Sequence, residues 1–282
     1  MIIDFHTHPL EASADIIFPV HTQEELSHIH FRNHSGELIK YMDRSRIDVS
    51  VVLPICAPNE RVQEVVAKHD DRLKGFAYGW PGENSRETLQ YAVEELGLCG
   101  VKVFPAAHGL TLTSPEILEI CEEAHALRIP VLLDSAPPFM FHWYPRSYHQ
   151  FECIPDRISQ VSWEAHSVFR MLDSTFQGSP LVAAHLGGGL PLYFMWKGFR
   201  EKYGPRISEK NVYFDISPPH WITPSLIKCA VDVVGADRLL FGSDTEYFFL
   251  QEKAVHNVKA AGLTEKQEEQ IFCENARHLL HF

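Results

Sequence analysis

Short apolar runs alternate with segments of helical periodicity along almost all of the 282 residues. This alternation predicts β-strands joined by helices, and hence a parallel sheet. The eight apolar runs are Ile2–Phe5, Val49–Ile55, Leu73–Tyr78, Gly100–Phe104, Pro130–Leu133, Leu181–Ala184, Val212–Phe214 and Arg238–Phe241. Eight such strands favour a closed (β/α)8 TIM barrel, with a doubly wound open sheet as the second possibility.

Helices are predicted between these strands. Ser114-Pro115 is typical of a helix start, with serine as the cap and proline in the first turn. Thr264 begins a capping-box pattern that opens a terminal helix to about Leu280. The other predicted helices are Arg61–Lys68, Ser85–Leu96, Pro115–Leu127, Ser159–Leu172, Thr223–Val234 and Gln251–Ala260.

Two segments interrupt the alternation. Residues 9–40 follow strand one, and residues 135–156, rich in proline and aromatic residues, follow strand five. Long loops after barrel strands build the walls of active sites, so we expect a barrel distorted by these two loops. Since no repeat or linker divides the chain, we predict one domain over residues 1–282.

Composition excludes several functional classes. The formal net charge is −12 without a basic run, which argues against nucleic acid or an anionic membrane as the main partner. The six cysteines contain no CxxC pair and indicate reduced thiols rather than a disulfide framework. No apolar run reaches 18 residues and the N-terminus lacks a signal-peptide pattern, so we expect a cytoplasmic protein.

Polar residues follow several predicted strands. His6 and His8 end strand one, where side chains two positions apart share one side and can reach a single metal ion. Two capping or surface histidines are the alternative, because the chain holds 17 histidines. His185 ends strand six and Asp244 follows strand eight. Carboxyl ends of barrel strands converge, which predicts a divalent metal site where Asp244 can also accept a proton.

Six motifs together resemble one known family. They are IIDFHTH (2–8), GVK (100–102), HLGGG (185–189), YFD (213–215), FGSD (241–244) and ENARHLL (274–280). These motifs resemble the amidohydrolase superfamily, and most of all its amidohydrolase-related branch that includes aminocarboxymuconate semialdehyde decarboxylase. The resemblance implies one divalent ion, with zinc expected and manganese or iron as alternatives. It also implies His6, His8 and Asp244 as ligands, and His185 as a ligand or general acid/base.

The sequence departs from that family at strand five. The family has a metal-binding histidine where this chain has Asp134. Since a carboxylate also binds zinc or manganese, we predict Asp134 as a further ligand, with loss of the metal as the alternative. Lys102 stands where a lysine is carbamylated in two-metal relatives. We favour an ammonium that binds a substrate carboxylate or pairs with Asp134.

The predicted substrate is a small anionic molecule. Lys102 and Arg146 would bind its carboxylate, Trp143 would form an apolar wall, and Asp215 would fix a neighbouring residue. The main hypothesis is a metal-dependent hydrolase acting on a carboxylated lactone, ester or amide through activated water. The alternatives are a non-oxidative decarboxylase of a carboxylated aromatic or muconate-like substrate, and a metal-free lactonase or non-catalytic binding barrel. The sequence is compatible with a homo-oligomer.

Overall fold

The computed structural model describes residues 1–134 except 15 and 17–19, and then 179–188, 201, 211–244 and 250–281. The predicted loop after strand five, with Trp143 and Arg146, lies outside the described residues. The predicted helix Ser159–Leu172 also lies outside them.

All eight predicted strands are present, and the third is divided at Phe76. In chain order the strands are β1 (Ile3–Thr7), β2 (Leu10–Ala12), β3 (Phe31–Asn33), β4 (Val49–Val52), β5 (Leu73–Gly75), β6 (Ala77–Tyr78), β7 (Val101–Val103), β8 (Val131–Leu133), β9 (Leu181–Ala183), β10 (Val212–Asp215) and β11 (Leu239–Leu240). The predicted strands therefore lie where the apolar runs indicated, although most are shorter.

The parallel strands follow one another in barrel order but form two sheets. One sheet has the order β1-β4-β5 and the other β11-β10-β9-β8-β7-β6. Backbone hydrogen bonds cross both seams, from Cys99 N to Gly75 O (2.9 Å) and from Phe5 N to Phe241 O (2.8 Å). The described residues thus give an α/β fold with eight successive parallel strand positions. They do not form the single continuous closed ladder that an ideal barrel requires.

Helices follow most of these strands. They are α1 (Ser35–Ser45), α2 (Asn59–Val66), α3 (Ser85–Glu94), α4 (Pro115–Ala126), α5 (Pro224–Val234), α6 (Leu250–Lys259), α7 (Glu265–Glu269) and α8 (Asn275–Leu280), with a π-helical segment, Gln270–Glu274, between the last two. The predicted capping box is confirmed: Thr264 Oγ1 accepts from Gln267 N (3.3 Å), and Gln267 Oε1 accepts from Thr264 N (3.0 Å). No helix among the described residues is long and apolar enough to span a bilayer.

The segment after strand one is more ordered than a loop. It contains the antiparallel pair β2–β3 and a 3-10 turn, Glu24–Leu26, and α1 begins within its predicted span. The sequence predicted a long loop to about Lys40, whereas α1 already begins at Ser35; the short elements before it show too little periodicity to be recognised in the sequence. Apolar side chains of this insertion pack on residues that follow β4, β6 and β7: Ile16, Val20, Leu26 and Ile29 contact Cys56, Tyr78, Trp80, Phe104 and Ala107. The insertion covers part of the carboxyl ends of the strands.

Alternation along the strands separates an inner from an outer core. In β8, Leu132 belongs to the cluster that lines the inner side, whereas Val131 and Leu133 pack with the helices. In β7, Val101 and Val103 also pack with the helices. Because successive strand residues point to opposite sides, Lys102 projects inward, where its side chain is only 1% exposed.

Candidate metal and catalytic site

A β-bulge in β1 aims the first histidine at the site. Ile3 and Phe5 pack in the inner cluster, so simple alternation would turn His6 away from it. The pairing of β1 with β4 instead shifts register between Asp4 and Thr7. Such a shift inserts one residue and re-aims the next side chain. His6 and His8 consequently both reach the carboxyl ends of the strands, with their Nε2 atoms 3.1 Å apart.

Three side-chain atoms form a compact triangle. Asp244 Oδ1 lies 3.4 Å from His6 Nε2 and 3.2 Å from His8 Nε2, and the histidine atoms are 3.1 Å apart. Ligand atoms held about 2.0–2.2 Å from a tetrahedral zinc ion lie about 3.3 Å from one another. The triangle therefore has the size of one face of a metal coordination shell, and its imidazole and carboxylate donors suit zinc or manganese.

Hydrogen bonds fix which nitrogen of each imidazole faces the triangle. His8 Nδ1 donates to Leu53 O (2.7 Å), and His6 Nδ1 donates to Asp215 Oδ2 (2.8 Å). In the neutral form of each ring, Nε2 then carries a lone pair that can bind a cation. Burial lowers the pKa of His6 and thereby favours its neutral form, despite the nearby Asp244 and Asp215 carboxylates. A neutral His6 can thus bind a cation through Nε2, next to the Asp244 carboxylate oxygen.

His185 lies beside this triangle on an unusual turn. His185, Leu186, Gly187 and Gly188 have successive positive φ angles of 57°, 52°, 59° and 67°. Left-handed conformations cost a non-glycine residue about 1–2 kcal/mol, which explains why glycines complete the turn. Asp215 Oδ1 accepts from His185 N (3.0 Å) at the start of the turn. Gly187 and Gly188 of the HLGGG motif therefore allow the left-handed backbone of this turn, in addition to any space that they leave for a substrate.

The side chain of His185 is held next to three carboxylates. Its Nδ1 lies 3.2 Å from Ser217 Oγ and 3.7 Å from Asp244 Oδ2, and its Nε2 lies 3.8 Å from Asp134 Oδ1. Burial acts to lower the pKa of His185, but its interaction with Asp134 and the charges of Asp244, Asp134 and Asp215 raise it to about 9. These carboxylates therefore favour the protonated form of His185, which can donate a proton.

The pKa of Asp244 is shifted in the opposite direction from that of His185. Burial acts to raise its pKa, yet the neighbouring His6, His8 and His185 hold the pKa of Asp244 well below its usual range. Its backbone φ of 47° is also left-handed, and Asp244 N donates to His6 O (2.7 Å). An ionised carboxylate in this position can bind a cation or accept a proton, but has no proton to donate.

Asp134 pairs with Lys102. Asp134 Oδ2 lies 3.2 Å from Lys102 Nζ, and their side chains are 9% and 1% exposed. Burial opposes ionisation, but the Lys102 ammonium and His185 hold the pKa of Asp134 below its usual range. Removal of either partner would leave an uncompensated buried charge, which strongly destabilises a folded protein.

The described residues contain two groups of possible metal ligands, His6–His8–Asp244 and His6–His185–Asp215. The second group is already internally hydrogen-bonded, because Asp215 Oδ2 accepts from His6 Nδ1. Asp134 belongs to neither group. The structure thus brings His6, His8, Asp244 and His185 together and places Asp134 and Lys102 alongside them.

Asp215 is supported by Ser217, a residue that carried little sequence signal. Ser217 Oγ donates to Asp215 Oδ1 (2.6 Å), and its backbone nitrogen donates to the same oxygen (3.1 Å). Asp215 was expected to fix a neighbour, and it contacts both His6 and His185; Ser217 was not singled out. Its position two residues after Asp215 is the only signal that could have indicated it.

A series of hydrogen bonds connects the insertion after β1 to the rest of the fold. His108 Nδ1 donates to Val20 O (2.5 Å), Tyr78 OH donates to His108 Nε2 (2.8 Å), and Cys56 Sγ donates to Tyr78 OH (3.2 Å). Val20 N in turn donates to Ala107 O (2.8 Å). These bonds tie the insertion to the segments that follow β4, β6 and β7.

Asp215→Asn is expected to weaken metal binding by about 10–100-fold without unfolding the protein, as for other partners of metal-binding histidines. Oδ1 of residue 215 accepts from three donors, the His185 and Ser217 backbone nitrogens and Ser217 Oγ, so the amide nitrogen must face His6. His6 would then carry its hydrogen on Nε2, directed at the triangle.

Chelator competition with zinc measures this effect. Ser217→Ala is the matched control, since it removes a donor to Asp215 but leaves the carboxylate facing His6, and it should bind zinc with nearly wild-type affinity. Wild-type zinc affinity in Asp215→Asn would show that the tautomer of His6 does not govern binding.

Comparison with known proteins shows the family. The profile of the family described as Amidohydrolase matches residues 3–282. A search of curated proteins found no match. Among solved structures, the chain is similar to a 2,6-dihydroxybenzoate decarboxylase complexed with 2,6-dihydroxybenzoate. The identity is 20%, the TM-score is 0.71, and the match covers 99% of this chain and 98% of that chain.

Two further structures are similar at comparable identity. One is a dihydroxybenzoic acid decarboxylase from Polaromonas with bound manganese and the inhibitor 2-nitroresorcinol (20% identity, TM-score 0.65, covering 87% of this chain and 85% of that chain). The other is a probable 2-pyrone-4,6-dicarboxylic acid hydrolase from Acinetobacter baumannii with citric acid bound (17% identity, TM-score 0.63, covering 100% and 99%). Identities this low show a shared fold, whereas the family profile spans nearly the whole chain. The resemblance carried by the six motifs is confirmed, and the chain belongs to the amidohydrolase 2 family.

Proposed function

We propose that the protein is a metal-dependent, non-oxidative decarboxylase of a small carboxylated aromatic acid. The observation that carries this proposal is the placement of a buried ammonium, Lys102, and an imidazolium, His185, beside a three-donor triangle of metal-binding size. Solved structures of similar fold include aromatic acid decarboxylases, one of them with manganese. This support favours decarboxylation over the hydrolase that was the main hypothesis from the sequence.

His6, His8 and Asp244 would hold the ion. A divalent ion bound there supplies Lewis-acid polarisation of substrate oxygens and neutralises their charge. Zinc remains the expected ion from the donor set, with manganese or iron also suited to it. Asp134 contributes by fixing Lys102, whose ammonium retains donors for a substrate carboxylate.

The positive groups set the charge of the substrate. Lys102 and His185 face the carboxylates of Asp134, Asp215 and Asp244 from within a largely buried site. Addition of a divalent ion gives this cluster of groups a net positive charge, although the whole chain carries −12. Field focusing in such a site favours an anionic ligand.

His185 supplies the proton in the proposed reaction. Its Nδ1 is engaged by Ser217, which leaves Nε2 on the side of Asp134 and Lys102. A proton moves from Nε2 to the ring carbon that bears the carboxylate. The bond between that carbon and the carboxylate then breaks, and its electron pair restores the ring as carbon dioxide leaves. His185 regains a proton from solvent, so one proton is consumed for each carbon dioxide released.

Hydrolysis is the second candidate, favoured by one feature of the site. Asp244 is ionised, 10% exposed and adjacent to both histidines of the triangle, so it could accept a proton from an attacking water. A fold neighbour described as a probable lactone-type dicarboxylic acid hydrolase is consistent with this reaction.

A substrate panel separates the two reactions. Hydroxybenzoic acids, their methyl esters and 2-pyrone-4,6-dicarboxylate are incubated with the purified protein, and carbon dioxide release and ring products are measured. We expect turnover of one or more free acids with stoichiometric carbon dioxide, and none of the matched esters, because an ester lacks both the charge and the leaving carbon dioxide. Cleavage of an ester or the pyrone without carbon dioxide would instead identify a hydrolase.

A further inference from the structure

The Asp4 carboxylate accepts four hydrogen bonds near the metal triangle. Its Oδ1 accepts from His6 N (3.2 Å) and Ser243 N (2.9 Å), and its Oδ2 accepts from Ser243 Oγ (2.6 Å) and Gln251 Nε2 (3.0 Å). Asp4, Ser243 and Gln251 are fully buried. All four contacts are donors, so the carboxylate is satisfied as an anion, in the charge-assisted form that is roughly twice as strong as a neutral bond. Three elements, β1, the segment after β11 and α6, meet at this one side chain.

On β1, Asp4 supports the bulge that aims His6. Asp4 lies just before the register shift, on the side of the strand that contacts α6 through Gln251. His6 lies within the shifted stretch and points to the opposite side, towards His8 and Asp215. By accepting from His6 N, the Asp4 carboxylate satisfies the backbone group at the shift and holds it in its bulged form.

After β11, Asp4 supports Asp244, which has a left-handed backbone conformation and is the third member of the triangle. Ser243 binds Asp4 through both its backbone nitrogen and its hydroxyl, and the next residue, Asp244, has a φ of 47°. A residue in that conformation persists only where its surroundings hold it. Because the two contacts of Ser243 and the bond from Asp244 N to His6 O restrain this segment, Asp244 Oδ1 stays within 3.4 Å of both histidines.

We propose that Asp4 is a positioning residue that sets the metal affinity of the site through His6 and Asp244. This inference rests on the proposed metal-dependent function, and it concerns a residue that touches neither the ion nor the substrate. It also explains why an aspartate stands two positions before His6 in the IIDFHTH motif.

The structure predicts opposite outcomes for two substitutions of Asp4. Asp4→Ala removes all four contacts and releases both the bulge and Ser243. Asp4→Asn keeps Oδ1 for His6 N and Ser243 N, and its new amide can donate to Ser243 Oγ. Gln251 can rotate its amide to accept a bond from residue 4, since Gln251 Oε1 has no hydrogen-bond partner among the residues the structure describes.

The experiment measures zinc affinity by chelator competition in the full-length protein, with folding followed by circular dichroism. We expect Asp4→Ala to bind zinc about 10–100-fold more weakly and Asp4→Asn to recover most of that affinity. Asp48→Ala is the matched control. Asp48 Oδ2 also accepts a backbone hydrogen bond, from Ile2 N (2.7 Å), but Ile2 precedes β1 at the end far from the site, and loss of this bond should leave zinc affinity unchanged.

Ser243→Ala keeps the test informative if Asp4→Ala fails to fold, because it removes only the hydroxyl contact and should give a smaller loss in the same direction. Wild-type affinity in folded Asp4→Ala or in Ser243→Ala would overturn the proposal, as would an equal loss in Asp48→Ala. A wild-type protein that binds no zinc, manganese or iron would overturn the metal-dependent function itself, which distinguishes that failure from the failure of Asp4 as its positioning residue.

Discussion

Removal of the proposed metal ion is expected to lower the proposed decarboxylase activity by about 10³-fold or more, and restoration of the ion should return it. Lewis-acid stabilisation by a bound ion is worth several kcal/mol, and about 1.4 kcal/mol corresponds to a tenfold change in rate. The physical basis is the triangle of His6, His8 and Asp244, in which two ring nitrogens and a carboxylate oxygen lie within 3.4 Å of one another.

The measurement combines elemental analysis with activity. Protein purified without chelator should contain about one divalent ion per chain, since the triangle offers one coordination face. Activity is then compared before chelation, after chelation and after addition of zinc, manganese or ferrous iron. A chelated protein that is free of metal and retains full activity would rule out the metal-dependent function.

His185→Asn is expected to reduce turnover by about 10²–10⁴-fold, the usual contribution of a general acid or base. Asparagine adopts positive φ more readily than most residues, so the turn at 185–188 should persist. Asparagine also keeps the backbone nitrogen that donates to Asp215 Oδ1. The variant should therefore fold and bind zinc while lacking the group that delivers the proton.

Steady-state kinetics, circular dichroism and chelator competition test this separation. His125→Asn, at an exposed position on α4, is the matched control and should behave as wild type. Turnover within a few-fold of wild type in folded, zinc-loaded His185→Asn would rule out His185 as the proton donor of the reaction.

The sequence predicted the strand positions and the main groups of the site because both depend on local patterns. Apolar runs mark buried strands, and polar residues that follow such runs lie at their carboxyl ends. His6, His8, His185 and Asp244 were identified on that basis, and the structure places them together. The family motifs raised the specificity of each of these assignments.

The remaining features depend on contacts between distant residues or on backbone geometry. The bulge after Asp4 has no signature in the IIDFHTH motif, and regular alternation would place Asp4 and His6 on one side of the strand, where the structure separates them. Whether Asp134 binds an ion or a lysine depends on how closely Lys102 approaches it across neighbouring strands. The glycines after His185 were expected to leave space for a substrate, and in the structure Gly187 and Gly188 also adopt the left-handed backbone conformation of a turn.

The site joins the two edges of the fold, and this has a consequence for folding. Asp4 and Ser243 are 239 positions apart in the chain, and Asp244 N bonds His6 O across the same seam. Contacts between such distant residues carry a large entropic cost of loop closure, which slows folding. Until the last strand docks on the first, the chain offers an ion two histidines without the third donor. An ion that binds only the assembled triangle would stabilise the native state by mass action and would strengthen the contact between β1 and the segment after β11. Acquisition of the metal would then report that the fold is complete.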